Sequence, residues 1–184
     1  MLFAVLFAFE FYPKSVLLKS DNGTVSFFSK APLEDIDATS DNIVSAINME
    51  TNEVAFDVGI KSFHFKKGKM ETDFNENFME SNKYPVSTYK GKINEKIDWE
   101  KDGTQRVTSK GVLTIHGVAK ERTDTATVSI KNGVVTLKSN FFVRVADHKI
   151  KIPTLLYQHI AEAVSVKLDV SYSAKEEKEV SSKK

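Results

Sequence analysis

The chain has 184 residues, 41% of them hydrophobic, enough for one domain with a sizeable core and no second one. Lys and Arg number 26 against 25 Asp and Glu, a formal charge of +1, so no global field draws in nucleic acid or an anionic membrane. The absence of Cys excludes disulfides, thiolate metal sites and Cys nucleophiles, and it fits either cytosol or periplasm.

Residues 1–9 (MLFAVLFAF) are an unbroken apolar run that reads as the h-region of an export signal with its basic start clipped. Residues 1–11 are therefore expected to be a signal remnant, 12–173 the folded domain, and 174–184, which carry one large apolar side chain and mixed charge, a disordered tail. A run this short does not span a bilayer, which takes roughly 20 apolar residues, so no transmembrane segment is expected.

Between these ends the dominant period is two. Val54, Phe56, Val58 and Ile60 alternate with Ala55, Asp57 and Gly59, and Val164, Val166, Leu168, Val170 and Tyr172 alternate with Ser165, Lys167, Asp169 and Ser171. Similar runs at 24–28, 85–93, 107–116, 125–130, 134–138 and 141–146 bring the count to about eight strands, with a further short one within 42–48. Two short polar turns, Glu50-Thr51-Asn52 and Lys131-Asn132-Gly133, favour antiparallel hairpins. The apolar parity switches from even numbers (Phe56, Val58, Ile60) to odd ones (Phe63, Phe65), which places a bend near Lys61 and Ser62. Helical spacing is confined to 73–81, where Phe74 and Phe78 stand four apart, and 154–163, where Leu155, Leu156, Ile160 and Ala163 share a stripe behind Pro153.

An all-β antiparallel chain of this size must dispose of its sheet edges, by closing into an up-and-down barrel or by packing two sheets. Aromatic residues on the apolar parity (Phe27, Phe56, Phe63, Phe65, Phe141) favour the barrel, whose interior is then either interdigitated or hollow. The expected fold is thus an antiparallel up-and-down β-barrel of about eight strands with one or two short helices.

Four ordered stretches carry a resemblance. Val25-Ser26-Phe27 opens the pattern. FNENFMES at 74–81 runs into Lys83-Tyr84-Pro85 and Tyr89-Lys90-Gly91, GVLTIHGV follows at 111–118, and FVRVAD stands at 142–147. Over roughly 21–172 the chain resembles the YceI-like proteins, lipid or polyisoprenoid binders with a lipocalin-like barrel. It departs from that pattern at Asp73, where many relatives carry His, and at Tyr89, where Phe is usual and the added hydroxyl needs a partner if buried.

The ionisable residues read mainly as structural. His116 falls at the start of a turn and is expected to be hydrogen-bonded there; His64 opposes Phe63 and Phe65 and is a surface residue; His148 beside Asp147 and His159 beside Glu162 lack the partners of a base or a metal site. Glu71, Asp73, Glu76 and Glu80 read as the solvated face of the short helix, with Glu76 and Glu80 stacked on one side. No nucleophile elbow, phosphate loop or dinucleotide fingerprint occurs, so neither an enzyme, nor a cofactor, nor a metal is expected.

A barrel lined by Val, Ile, Leu and Phe and left partly unfilled is a dry slot for a long chain, stabilised by about 0.8 kcal/mol per buried CH2. Parity and the resemblance together name the lining as Val25, Phe27, Phe56, Val58, Leu113, Ile115, Phe141, Val143, Val166 and Leu168, with Phe74, Phe78, Tyr84 and Tyr89 at the mouth. What the resemblance implies is a periplasmic or secreted carrier or store of a quinone or polyprenyl lipid, with transient membrane contact and a homodimer both compatible. The alternatives are a filled barrel serving as a structural or interaction module, and an enzyme using Asp147, His148 or His116.

Overall fold

The computed structural model describes residues 16–30, 34–152 and 161–173. The expected signal remnant, the charged tail and most of the second expected helix lie outside these residues. The chain enters as β1 (Leu17–Ser20), β2 (Gly23–Ser29), β3 (Ile36–Ser40), β4 (Ile43–Asn48) and β5 (Glu53–Gly59). After a 3-10 turn at Ile60–Ser62 come β6 (His64–Phe65), helix α1 (Gly68–Asp73) and a π-helical turn at Phe74–Phe78. Then follow β7 (Val86–Ile93), the long β8 (Gly103–Ile115), β9 (Val118–Lys131) and β10 (Val134–Arg144), a 3-10 turn at Val145–His148, and β11 (Ala163–Ser173).

All pairings are antiparallel, in the order β1-β4-β5-β7-β8-β9-β10-β11-β2-β3-β6. The sheet curls back on itself so that its β1 edge comes up against β11. β1, first in that order, is separated from β2 by Asp21 and Asn22 alone, and β2 pairs with β11 on one side and β3 on the other. Two bonds stitch the seam: the Ser20 hydroxyl donates to the Ser171 carbonyl at 2.6 Å, and the Ser171 amide donates to the Asn22 carbonyl at 3.0 Å.

The strands number eleven rather than about eight, for a local reason. β1 and β2 face β4 and β3 in one unbroken register, Leu17 opposite Asn48 and Ser29 opposite Ile36. Each long strand is interrupted at the same triplet, Ser-Asp-Asn, at 20–22 and at 40–42. In both, the buried Ser hydroxyl accepts the amide of the Asn two residues on, at 2.9 Å and 3.1 Å, taking that amide out of the ladder. β6 adds a two-residue strand after the bend expected near Lys61 and Ser62. In the other direction, the separate strands expected at 134–138 and 141–146 are one continuous β10, which ends at Arg144.

The turns follow their chemistry. Asn132 and Gly133 both take positive φ (51° and 76°), as a two-residue hairpin of right-handed strands requires. His116 and Gly117 do the same at the β8–β9 turn (52° and 71°). Helical structure differs from expectation at both places. The first segment starts earlier, at Gly68, and ends as a π-helical turn at Phe78, so Glu80 lies beyond it at φ 44° and does not stack on Glu76. In the second, Ala163 opens β11 instead of closing a helix, because Val164, Val166 and Leu168 continue its strand period.

Packing divides the interior along the barrel axis. One end is filled: Ile43, Ile47, Val54, Phe56, Val107, Val128, Ile130, Val135, Val170 and Tyr172 form one cluster, and the 94–102 loop adds Ile97 and Trp99 to it. The Trp99 indole N–H is satisfied by Asn52 Oδ1 at 3.2 Å. A second, smaller cluster at the other end gathers Val25, Ala38 and Phe63 with Phe27, Phe65, Phe74 and Val166.

Candidate functional site

Between the two clusters lies a cavity of about 380 Å³, within the roughly 300–1,000 Å³ usual for small-molecule sites. Inward parity on seven strands builds its wall: Val25 and Phe27 from β2, Phe56 and Val58 from β5, Tyr89 from β7, Leu113 and Ile115 from β8, Ala126 from β9, Phe141 and Val143 from β10, and Val164, Val166 and Leu168 from β11. The chain after β5 closes the remaining side with Ile60, Phe63, Phe65, Met70, Phe74, Phe78 and Met79.

The lid is held by aromatic packing. The Phe74 ring lies 5.0–5.7 Å from those of Phe27, Phe63 and Phe65, and the π-helical turn sets Phe74 and Phe78 toward the cavity together. Such pairs contribute about 0.5–1.5 kcal/mol each beyond area burial. A polar latch ends the lid: Glu80 Oε2 lies 2.7 Å from His116 Nε2, and His116 Nδ1 is 3.3 Å from the His148 carbonyl. The Tyr84 ring meets the His116 imidazole edge-on at 4.4 Å and covers Gly117. His148 is itself buried, with Nδ1 donating to the Val118 carbonyl at 3.0 Å, and burial pushes its pKa down.

All ten expected lining residues border this cavity (Val25, Phe27, Phe56, Val58, Leu113, Ile115, Phe141, Val143, Val166 and Leu168), and so do three of the four expected at its mouth, Phe74, Phe78 and Tyr89, of which Tyr89 lies against the filled end and not at the mouth. Tyr84 does not; it serves the latch. Asp73 stands at the cavity and pairs with Lys69 at 2.9 Å, and Glu71 accepts the Phe65 amide at 3.3 Å, so two members of the acidic run are engaged within the lid. His64 is an exposed residue, 3.8 Å from Glu71, and His159 lies outside the described residues. Among the described residues no group of three or more His, Asp and Glu is placed to hold a metal, and no helix is long and apolar enough to cross a membrane.

Sequence reasoning missed a polar strip in the wall. Arg122 and Asp124 point inward from β9, on the parity of Ala126 and Val128. The guanidinium holds the carboxylate through Nε and, at 2.6 Å, through Nη2; it also donates to the Phe142 carbonyl at 3.0 Å and lies 4.6 Å over the Phe141 ring. Opposite Asp124 on β8 is Ser109, whose hydroxyl is 2.8 Å from that of Tyr89, so the Tyr-for-Phe departure has its partner. Burial pushes the Tyr89 pKa up, and the Asp124 charge adds to this, so the phenol stays neutral. The signal for the strip was available: the even parity of 126–130 runs on through 124 and 122, ahead of the strand expected at 125–130.

Comparison with known proteins bears on this geometry. A polyisoprenoid-binding domain from Saccharophagus degradans, implicated in plant cell wall breakdown, superposes with a TM-score of 0.74 at 15% identity, covering 87% of this chain and 99% of that one. BcnA of Burkholderia cenocepacia gives 0.71 at 15% identity over 81% and 95%, and the YceI protein of Campylobacter jejuni gives 0.58 at 16% over 96% and 100%. At these identities the likeness shows a shared fold. No functionally curated protein matches the chain by sequence. The YceI-like domain model, however, matches residues 18–172, all the strands but the first residue of β1 and the last of β11, and the chain belongs to the YceI-like family.

Proposed function

We propose that the protein binds a long-chain isoprenoid or related lipid of quinone or polyprenyl type and carries or stores it, acting as a binding protein and not as an enzyme. The observation that carries this reading is the cavity: an apolar wall, stacked Phe rings at its lid and a filled core beneath it. Family membership and a polyisoprenoid-binding structural relative point the same way. A cavity of about 380 Å³ encloses only part of a long chain.

Export to the periplasm or outside the cell belongs to the same proposal and rests on the apolar run at 1–9. Transient membrane contact fits Phe28 and Phe142, exposed on the outer face and flanking Ser165 from either side. Asp147, His148 and His116 find little support as catalysts, since His148 is 2% exposed and spent on a carbonyl while His116 is spent on the latch.

The test is native mass spectrometry of the full chain, followed by organic extraction of any bound mass. A stoichiometric prenyl lipid is the expected result. An apo mass that takes up neither added quinone nor added polyprenol would overturn the proposal and leave a barrel acting through protein contacts.

A further inference from the structure

Besides Asp73 at the lid and Ser87 and Thr88 on β7, the cavity has a polar face where it meets the filled end, and we propose that this face receives the head of the ligand: the protein selects apolar chains that end in an uncharged hydroxyl. This deepens the lipid-binding reading above and rests on it.

The face is built by backbone design. Gly91 on β7 sits directly opposite Gly111 on β8. A Cβ at Gly91 would lie 2.6 Å from the Tyr89 hydroxyl, and one at Gly111 would lie 2.7 Å from Cζ of the same ring. The two glycines therefore open a bed in which the Tyr89 ring lies across the strands instead of standing out into the cavity. Its hydroxyl is thereby carried to β8, 2.8 Å from Ser109 Oγ and 3.2 Å from the Ser109 carbonyl. Ser109 pairs in register with Asp124 on β9, and Tyr89, Ser109, Asp124 and Ser139 all border the cavity.

The chemistry offered there is acceptor-rich. The Asp124 carboxylate only accepts, and its two bonds from Arg122 leave lone pairs unused. The Ser139 hydroxyl already donates to the Thr125 carbonyl at 2.7 Å, the Tyr89 hydroxyl donates to the Ser109 carbonyl at 3.2 Å, and the Ser109 hydroxyl in turn has the Tyr89 oxygen at 2.8 Å to donate to. An incoming group that brings its own hydrogen completes this set. A quinone carbonyl brings none and leaves Asp124 dry and under-paired. A phosphate brings a second anion beside Asp124 in an apolar enclosure, and Arg122, which already holds Asp124 and the Phe142 carbonyl and lies over the Phe141 ring, does not itself border the cavity to receive it. The arginine thus keeps the carboxylate paired and aimed.

The experiment titrates the full chain and its variants with geranylgeraniol, geranylgeranyl methyl ether and geranylgeranyl phosphate. The expected result is alcohol binding about fivefold or more tighter than either of the others, the worth of one net hydrogen bond. Tyr89→Phe, Ser109→Ala and Asp124→Asn should each shrink that margin while leaving ether affinity in place, and retained ether binding shows that the variant is folded. If the ether or the phosphate binds as well as the alcohol, or if the margin survives all three substitutions, the inference is overturned. If none of the three chains binds, the lipid-binding reading itself fails, an outcome distinct from losing the preference alone.

Discussion

The two ends of this barrel use the same inward parity for opposite purposes. At the filled end the strands supply β-branched and aromatic residues that meet one another: Ile43, Ile47, Val107, Val128, Val170 and Tyr172 are essentially sealed from solvent. At the other end the inward positions are larger rings, and they meet a lid drawn from outside the strand period instead of the opposite wall. Filling an end with strand residues yields stability. Covering an end with a short helix and a π-helical turn leaves space, and space is what a ligand needs.

Substitutions should separate the two ends most clearly through stability. Ile47→Ala removes a fully buried side chain from the filled end and is expected to cost about 3–4 kcal/mol, read as a lower midpoint in denaturant, with the cavity walls unchanged. Phe74→Ala, at the lid, should cost about 2 kcal/mol, the lower part of what its three ring contacts supply, because the ring already borders open space, while opening the cavity to an apolar fluorescent probe. Equal losses at the two positions would erase the contrast.

Next in size is Gly111→Ala, at the boundary between the ends. A Cβ there would stand 2.5 Å from the Lys90 carbonyl and 2.6 Å from Gly91 Cα, both backbone atoms with little freedom to yield. A loss of about 2–3 kcal/mol is expected, together with a shifted Tyr89 ring seen in its aromatic NMR signals. Gly133→Ala is the control, since nothing lies within 4 Å there and the cost is that of positive φ alone, about 1 kcal/mol.

Alkaline pH tests the filled end through Tyr172, with the raised Tyr89 at the cavity acting in the same sense. The Tyr172 hydroxyl is buried without a hydrogen-bond partner of good geometry, and burial pushes its pKa up to about 12, an effect that nearby Ser45 offsets only in part. The folded value lies above the ordinary 10, so the neutral phenol's stability advantage is whole below pH 10 and drains away as pH rises toward 12. The full swing is about 2–3 kcal/mol, about half of it expressed by pH 11. Tyr172→Phe should abolish it and, at neutral pH, be neutral or stabilising by up to about 1 kcal/mol, since it deletes an unsatisfied polar atom. Urea denaturation of both proteins at pH 7 and pH 11 makes the measurement.

How much of this was legible in the sequence differs between the ends for the same reason. Period two locates Val54, Phe56 and Val58, or Val166, Leu168 and Val170, because each alternates against polar neighbours. It registers a strand only weakly where the inward residues are themselves polar, and so Arg122 and Asp124, in the first half of β9, do not stand out although they keep the even parity of 126–130. Nor does it see a kink carried by a side chain: Ser20 and Ser40 look like ordinary strand residues until their hydroxyls take an amide from the ladder. The lid is a tertiary event. Phe74 and Phe78 four apart suggest a helix, but the π-helical turn and the left-handed Glu80 depend on what lies beneath and beside them.

The smallest expected effect concerns the latch, where lid and barrel are joined by one ion-pair geometry and not by a core. Glu80 is half-exposed, so its contact with His116 is worth less than about 1 kcal/mol to global stability, and Glu80→Gln should barely move the denaturation midpoint. The local consequence is larger. The amides of Met79 and Ser81 donate back to the Phe74 and Asn75 carbonyls at 2.8 Å, so fraying at Glu80 runs directly into the turn that aims Phe74 and Phe78. Hydrogen exchange at 74–81 should therefore speed up severalfold in the variant, while β4, β5 and β11 exchange as before. Acceleration spread evenly over the barrel would mean that the lid is not a separate unit, and that the two ends share one cooperative core after all.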